Sequence, residues 1–267
     1  MVNLTLPQQV ARMDSDRLRA YRQNLDFYNS IQWLGTPRRR ERRLTVNYAK
    51  VLVDKVTSYL MTELSFNVEP QDNSQEARDR AKLTEEALRQ AYQQNHLEQL
   101  DFDTELDTAI LGDGCFKVTW DAQEQRVRVS APDVQGIYAW CLGDDVTRVW
   151  RVASRYQLSA DEVEALYGYK VPGTRLGKRE ASVLEVWTAT SFQLWVDNVM
   201  VEEKPNPYGF IPFIIYPNLR EPKRFWGTSD IPPLVEPARE LNRALSQLAT
   251  ILELSGNPIA VLENVED

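Results

Sequence analysis

The chain has 267 residues, 43% hydrophobic and 26% charged, with a formal net charge of −8. That is enough apolar content for a real core. It holds no apolar run long enough to cross a membrane, and its first residues lack the basic start and apolar centre of a secretory signal. A protein that grips DNA through its phosphates is usually basic, so the charge argues against an ordinary DNA-binding module.

Gln8 to Tyr28 reads as one charged helix with aromatic positions at Tyr21, Phe27 and Tyr28. A Gly35-Thr36-Pro37 break precedes the densest basic run, Arg38, Arg39, Arg40, Arg42 and Arg43, interrupted only by Glu41. Such a run is either a solvated loop pairing with acidic neighbours or a patch facing phosphate or another subunit. Val46, Ala49, Val53, Val56 and Leu60 recur at helical spacing and predict a helix over 46–64. Phe66 and Val68 alternate, predicting a short strand over Ser65–Glu69 that Pro70 closes. Two more helices are predicted over Ser74–Asn95 and Leu97–Leu111, with the single His96 between them. Nothing near that histidine resembles a triad or a metal site.

Gly112-Asp113-Gly114 is a strong turn. Beyond it, Cys115–Trp120 and Arg126–Ser130 alternate as a hairpin across Asp121–Gln125. From there to Asn218 the chain reads as mostly β, with strands over Arg148–Tyr156, Val183–Thr190, Ser191–Val196 and Val199–Glu202. Ser159 and Glu162 form a capping box for a short helix ending near Tyr167. Phe210–Tyr216 contains Pro212 and precedes Pro217, so it is an edge strand or an extended segment.

Trp226-Gly227-Thr228-Ser229-Asp230 offers three N-caps, and Pro232 and Pro233 suit a first helical turn. Leu234, Leu241, Leu245, Leu248 and Leu252 then repeat as an apolar seam over a helix from Asp230 to Ser255, stopped by Gly256-Asn257-Pro258. Pro237 is a possible kink or a later true start. Ile259–Leu262 opens another strand, whose missing partner suggests a fragment.

Enzyme chemistry is not indicated. No phosphate loop and no nucleophile elbow occur. Asp101, Asp103, Glu105 and Asp107 are spaced by two, which spreads carboxylates around a helix and predicts a solvated acidic face. Asp144-Asp145 reads as a turn. Cys115 and Cys141 form neither a metal pattern nor a disulfide framework, and read as free thiols in a reducing cytoplasm. No metal, cofactor or catalytic residue is expected.

The order of motifs carries a resemblance. Asn47-Tyr48 before Val51–Tyr59, Gly112 and Gly114 before a hairpin, Tyr208-Gly209-Phe210-Ile211-Pro212, Trp226-Gly227-Thr228-Ser229-Asp230 and Leu241-Asn242-Arg243-Ala244-Leu245-Ser246 follow one another. The chain from Leu44 to Val265 thereby resembles the portal proteins of long-tailed bacteriophages and related prophages, of which it would be the N-terminal part. The resemblance implies an α+β fold: N-terminal helices, a β-rich wing body with hairpins, and a long C-terminal stem helix. It divides the chain into an N-terminal helix and basic loop (1–43), a wing (44–218), a turn and first stem helix (219–258) and the start of a clip (259–267).

Functionally it implies a homo-oligomeric ring of about twelve subunits at the capsid vertex of the virion, assembled in the bacterial host cytoplasm. The partners implied are a large terminase motor, a head–tail adaptor, capsid and scaffold proteins, and double-stranded DNA passing without sequence specificity; no membrane is involved. Leu234, Leu241, Leu245, Leu248 and Leu252 would pack the stem seam. Arg239, Glu240, Asn242, Arg243, Ser246 and Gln247 would face the tunnel or a neighbouring subunit. Two other readings are a nucleic-acid-binding or processing protein using the Arg38–Arg43 run, and a different structural protein of the phage head.

Overall fold

The computed structural model describes residues 4–38, 41–61, 65–172 and 180–256. The fold is α+β. Five helices lead the chain: α1 (Leu6–Val10), α2 (Ser15–Tyr28), α3 (Tyr48–Leu60), α4 (Gln75–Gln94) and α5 (Leu97–Leu111). The strands follow as β1 (Asp113–Asp121), β2 (Arg126–Ser130), β3 (Ile137–Leu142), β4 (Asp145–Ser159), β5 (Glu180–Thr188), β6 (Ser191–Val196), β7 (Val199–Pro205) and β8 (Phe213–Pro217). Helix α6 (Ala160–Tyr167) lies between β4 and β5, and α7 (Pro232–Gly256) is the last described element.

The strands form two antiparallel sheets, ordered β2-β1-β8 and β3-β4-β5-β6-β7. Both faces of the larger sheet are covered, which is why β5 reads Val183-Leu184-Glu185-Val186-Trp187 rather than as a clean alternation. Val183 and Trp187 pack under α6 with Val163, Phe192 and Leu194. Leu184 and Val186 face the other way, with Val10 of α1 and Tyr138. The largest cluster joins α2, α3, α5, β1, β3, β4 and the start of α7 through Phe27, Val53, Ile110, Ile137, Val152, Ile231 and Ala238. At roughly 1.5–3 kcal/mol per buried large apolar side chain, this cluster is the main adhesive between helices and sheets.

Most predicted elements are where the sequence placed them. Leu97–Leu111 and Arg126–Ser130 match to the residue, the Ser159 capping box is formed, and His96 sits in the αL joint that starts α5. Three elements differ from the prediction. The expected single helix over Gln8–Tyr28 is two, broken at Asp14, whose φ of 53° turns the chain. Aspartate tolerates that left-handed conformation, and Arg17 holds the carboxylate at 3.1 Å. The strand expected over residues 65–69 is not formed: they pair with no strand among the described residues. Strand β3 has no counterpart among the predicted strands, because Ile-Tyr-Ala-Trp-Cys-Leu carries no polar alternation. Pro237 lies inside α7, which starts at Pro232. The predicted stop at Asn257-Pro258 and the strand at Ile259 lie outside the described residues.

Candidate assembly surface

Helix α7 has 25 residues, a rod of about 37 Å. Its inward face turns polar beyond Ala238. Ala238, Asn242 and Ser246 form a buried row at i, i+4, i+8, in which Ala238 joins the apolar cluster while Asn242 and Ser246 bond residues that precede α3. The Asn242 carbonyl oxygen accepts the Val46 N–H at 2.8 Å, and its amide donates to Gln32 Oε1 at 2.7 Å. Ser246 Oγ accepts the Leu44 N–H at 2.9 Å and donates to the Asn242 backbone carbonyl at 2.7 Å. Gln32 in turn donates to Asn47 Oδ1 at 2.9 Å, the same oxygen that caps α3 by accepting the Lys50 N–H at 3.0 Å. Leu44 and Val46 have no ladder partner among the described residues, so these side chains satisfy backbone groups that burial would otherwise leave unpaired.

Asn242 and Ser246 therefore do not belong with the tunnel-or-neighbour residues expected from the sequence. They are buried inside their own chain, because the 29–47 segment needs acceptors for its N–H groups there. Glu240, Arg243 and Gln247 are exposed, whereas Arg239 is half-buried and donates to the Gln32 backbone carbonyl at 3.4 Å. Arg239 pairs with Glu236 at 3.2 Å and Arg243 with Glu240 at 2.7 Å.

The leucine seam divides. Leu234 and Leu245 are half-buried, whereas Leu241, Leu248 and Leu252 are exposed, the last two at 51% and 63%. Ile251 and Leu254 are exposed beside them. Helix α3 continues the apolar surface, since its buried row is Ala49, Val53 and Thr57 while Tyr48, Val51, Leu52 and Val56 face outward. Between the two helices lies a cleft of about 350 Å³, walled by Tyr48, Leu52, Leu234, Pro237 and Leu241. Contiguous exposed apolar strips are typical of contact surfaces.

Within the basic run, Arg43 reaches the Gly35 and Thr36 carbonyls at 2.7 and 3.0 Å and lies over Trp33. It also bonds Glu41 at 3.1 Å, which holds that carboxyl below its usual range. Arg42 pairs with Glu253 on α7 at 3.2 Å. Arg38 is exposed. Arg39 and Arg40 lie outside the described residues.

A second polar centre went unnoticed in the sequence as a unit. Asp113 follows the Gly112 turn and is fully buried. It accepts the Gly227 N–H at 2.7 Å and the Tyr21 hydroxyl. Arg17 donates to Tyr21 Oη at 3.2 Å and stacks 3.8 Å from the Trp226 ring centre. Burial raises the Asp113 carboxyl above its ordinary range, although Tyr21, Gly227 and Arg17 pull it back. Ser229 closes the joint, donating to the Ala109 carbonyl at 2.9 Å and accepting the Ile231 N–H at 3.0 Å. The turn that launches α7 is thus bolted to the end of α5 and the start of β1.

Among the described residues no group of His, Cys, Asp and Glu side chains could hold a metal ion, and no helix is long and apolar enough to cross a membrane. Both cysteines are free thiols.

Comparison with the curated proteins gives no match. The family model described as phage portal protein, SPP1 Gp6-like, matches residues 10–267, which is nearly the whole chain. The chain belongs to this family of phage portal proteins.

Proposed function

We propose that the protein is a ring-forming subunit at the vertex of the phage capsid. The ring, of about twelve subunits, is the conduit for double-stranded DNA in packaging and ejection. It is also the platform on which the terminase motor and later the head–tail adaptor dock, and it contacts capsid and scaffold proteins. Helix α7 is the stem helix, and the family match supports this reading.

The observation that carries it is the exposed apolar strip of α3 and α7. A stem helix is held on one side by its own chain and on the other by the next subunit. Here the first side is taken by the Asn242 and Ser246 anchors, and the second is the outward row Leu241, Leu248 and Leu252. The net charge of −8 suits passage more than grip, because an acidic wall repels phosphates.

Negative-stain microscopy and sedimentation of the full-length protein test the proposal. A ring with a central hole is expected, with weak DNA binding. A particle that stays monomeric would overturn it. Sub-micromolar DNA affinity at physiological salt would instead favour a nucleic-acid binder.

A further inference from the structure

Strand β8 is an edge. Among the described residues it pairs with β1 alone. The Val118 N–H bonds the Pro212 carbonyl at 3.0 Å and the Asn218 N–H bonds the Gly112 carbonyl at 2.8 Å. By the alternation of an antiparallel ladder, the even residues of β8 therefore turn their backbone groups toward β1. The N–H and C=O of Phe213 and Ile215 point away, with no partner among the described residues. Pro212 and Pro217 bound this short open edge.

A slot of about 580 Å³ runs along it. Its apolar wall includes Val146, Val149 and Ile214, and its rim carries Arg220 and Arg224. On the far side β4 runs past the end of β5: of residues 145–150, Asp145 and Val149 pair with β3, and none pairs with β5 among the described residues. Arg220 has no acidic partner among the described residues, and Arg224 pairs only with Glu221 of its own loop, at 2.6 Å.

The molecule also carries a strand-patterned segment without a strand. Residues 65–69 are neither helix nor strand and make no backbone–backbone hydrogen bond among the described residues. Phe66 and Val68 are half-buried on the α4 side, Phe66 with its ring 5.4 Å from that of Tyr92. Ser65, Asn67 and Glu69 are exposed. The following Asp72 adds a second carboxylate with no basic partner among the described residues.

We propose that residues 65–69 of one copy add as a strand to the open edge of β8 in a neighbouring copy. The inference rests on the ring reading and says where subunits meet. Strand addition supplies partners for both orphaned backbones, and Glu69 and Asp72 come near Arg220 and Arg224. The two patches differ, so the contact is heterologous, the kind that closes a ring.

Full-length protein carrying Asn67→Cys and Ile214→Cys, both at exposed positions, tests this under mild oxidation. A ladder of covalent oligomers is expected on a non-reducing gel, absent from either single variant. Arg220→Glu with Arg224→Glu should raise the concentration needed for assembly at least about tenfold, and adding Glu69→Arg should recover part of that loss. Wild-type rings without a ladder, and with assembly indifferent to the charge reversal, would overturn the inference and leave the ring reading standing. An internal disulfide within monomers would show that the segment fills its own chain's slot, overturning the second copy as occupant. A monomeric wild type would remove both readings.

Discussion

The Asp113 carboxylate accepts the Gly227 N–H at 2.7 Å, across more than a hundred residues of sequence. This bond makes the entry turn of α7 part of the core. At Gly112, φ is +112°, and a Cβ there would lie 2.9 Å from the Ser229 nitrogen. A Cβ on Gly227 would lie 2.5 Å from the Gly112 carbonyl oxygen. Two backbones touch, and only glycine permits it.

Asp113→Ala should destabilise the fold by about 2–4 kcal/mol, because the Tyr21 hydroxyl and the Gly227 N–H lose a buried acceptor. Gly227→Ala should cost a similar amount through the backbone clash. Urea unfolding of the purified protein reads both, and an unchanged midpoint in either variant would remove the joint from the account of stability.

The two sheets are joined by an ion pair that the sequence did not disclose. Lys117 of β1 meets Glu185 of β5, and Tyr156 at 2.7 Å and Trp187 at 2.9 Å also donate to that carboxylate. Burial pushes the Glu185 carboxyl up, but Lys117 and the two donors more than offset it and hold it below its usual range. Lys117→Met should cost about 3–5 kcal/mol, since it strands a buried charge. Adding Glu185→Gln should recover part of the loss, measurable as a double-mutant cycle in urea.

Local pattern made most elements legible, because helix faces, capping boxes and hairpins are short-range facts. Contacts between motifs were not. Asn47 and Asn242 were read as parts of separate helices, yet Gln32 bridges them at 2.9 and 2.7 Å. The resemblance placed Asn242 and Ser246 on a face turned to the tunnel or a neighbouring subunit. It could not show that the 29–47 segment supplies N–H groups needing acceptors. Gly112-Asp113-Gly114 and the Trp226–Asp230 turn were each legible as turns, but their mutual fit is a property of the fold. The leucines exposed on α7 illustrate the converse: an ordinary core helix has the same spacing, so exposure had to be seen.

A pH dependence follows from Asp107. Desolvation, then repulsion from Asp133 and Asp103, raises its carboxyl to about 6. A folded-state value above the unfolded one means that the group's contribution is present below pH 4 and lost as pH rises to about 6. Asp107→Asn should therefore stabilise the protein at pH 7 and leave it little changed near pH 4. The residue is exposed on one side, so solvent screening limits the gain to about 1 kcal/mol or less. Melting temperatures of the two proteins from pH 4 to 8 should converge at the acid end. Parallel curves would refute the assignment.

The outward leucines separate assembly from folding. Leu248 is 51% exposed on the side of α7 away from the Asn242 and Ser246 anchors, so Leu248→Asp should leave subunit stability within about 0.5 kcal/mol. In a ring it would place an unpaired carboxylate in an apolar contact, at about 2 kcal/mol or more per subunit. Asn242→Leu should do the reverse at the outset, removing acceptor and donor from Val46 and Gln32 and weakening the subunit itself. Leu245 is a less clean probe, since it is half-buried in its own chain. Sedimentation of full-length Leu248→Asp should show a folded subunit of unchanged melting behaviour with rings lost or shifted to higher concentration. Rings at wild-type concentration would mean that the next subunit does not pack on this side of α7.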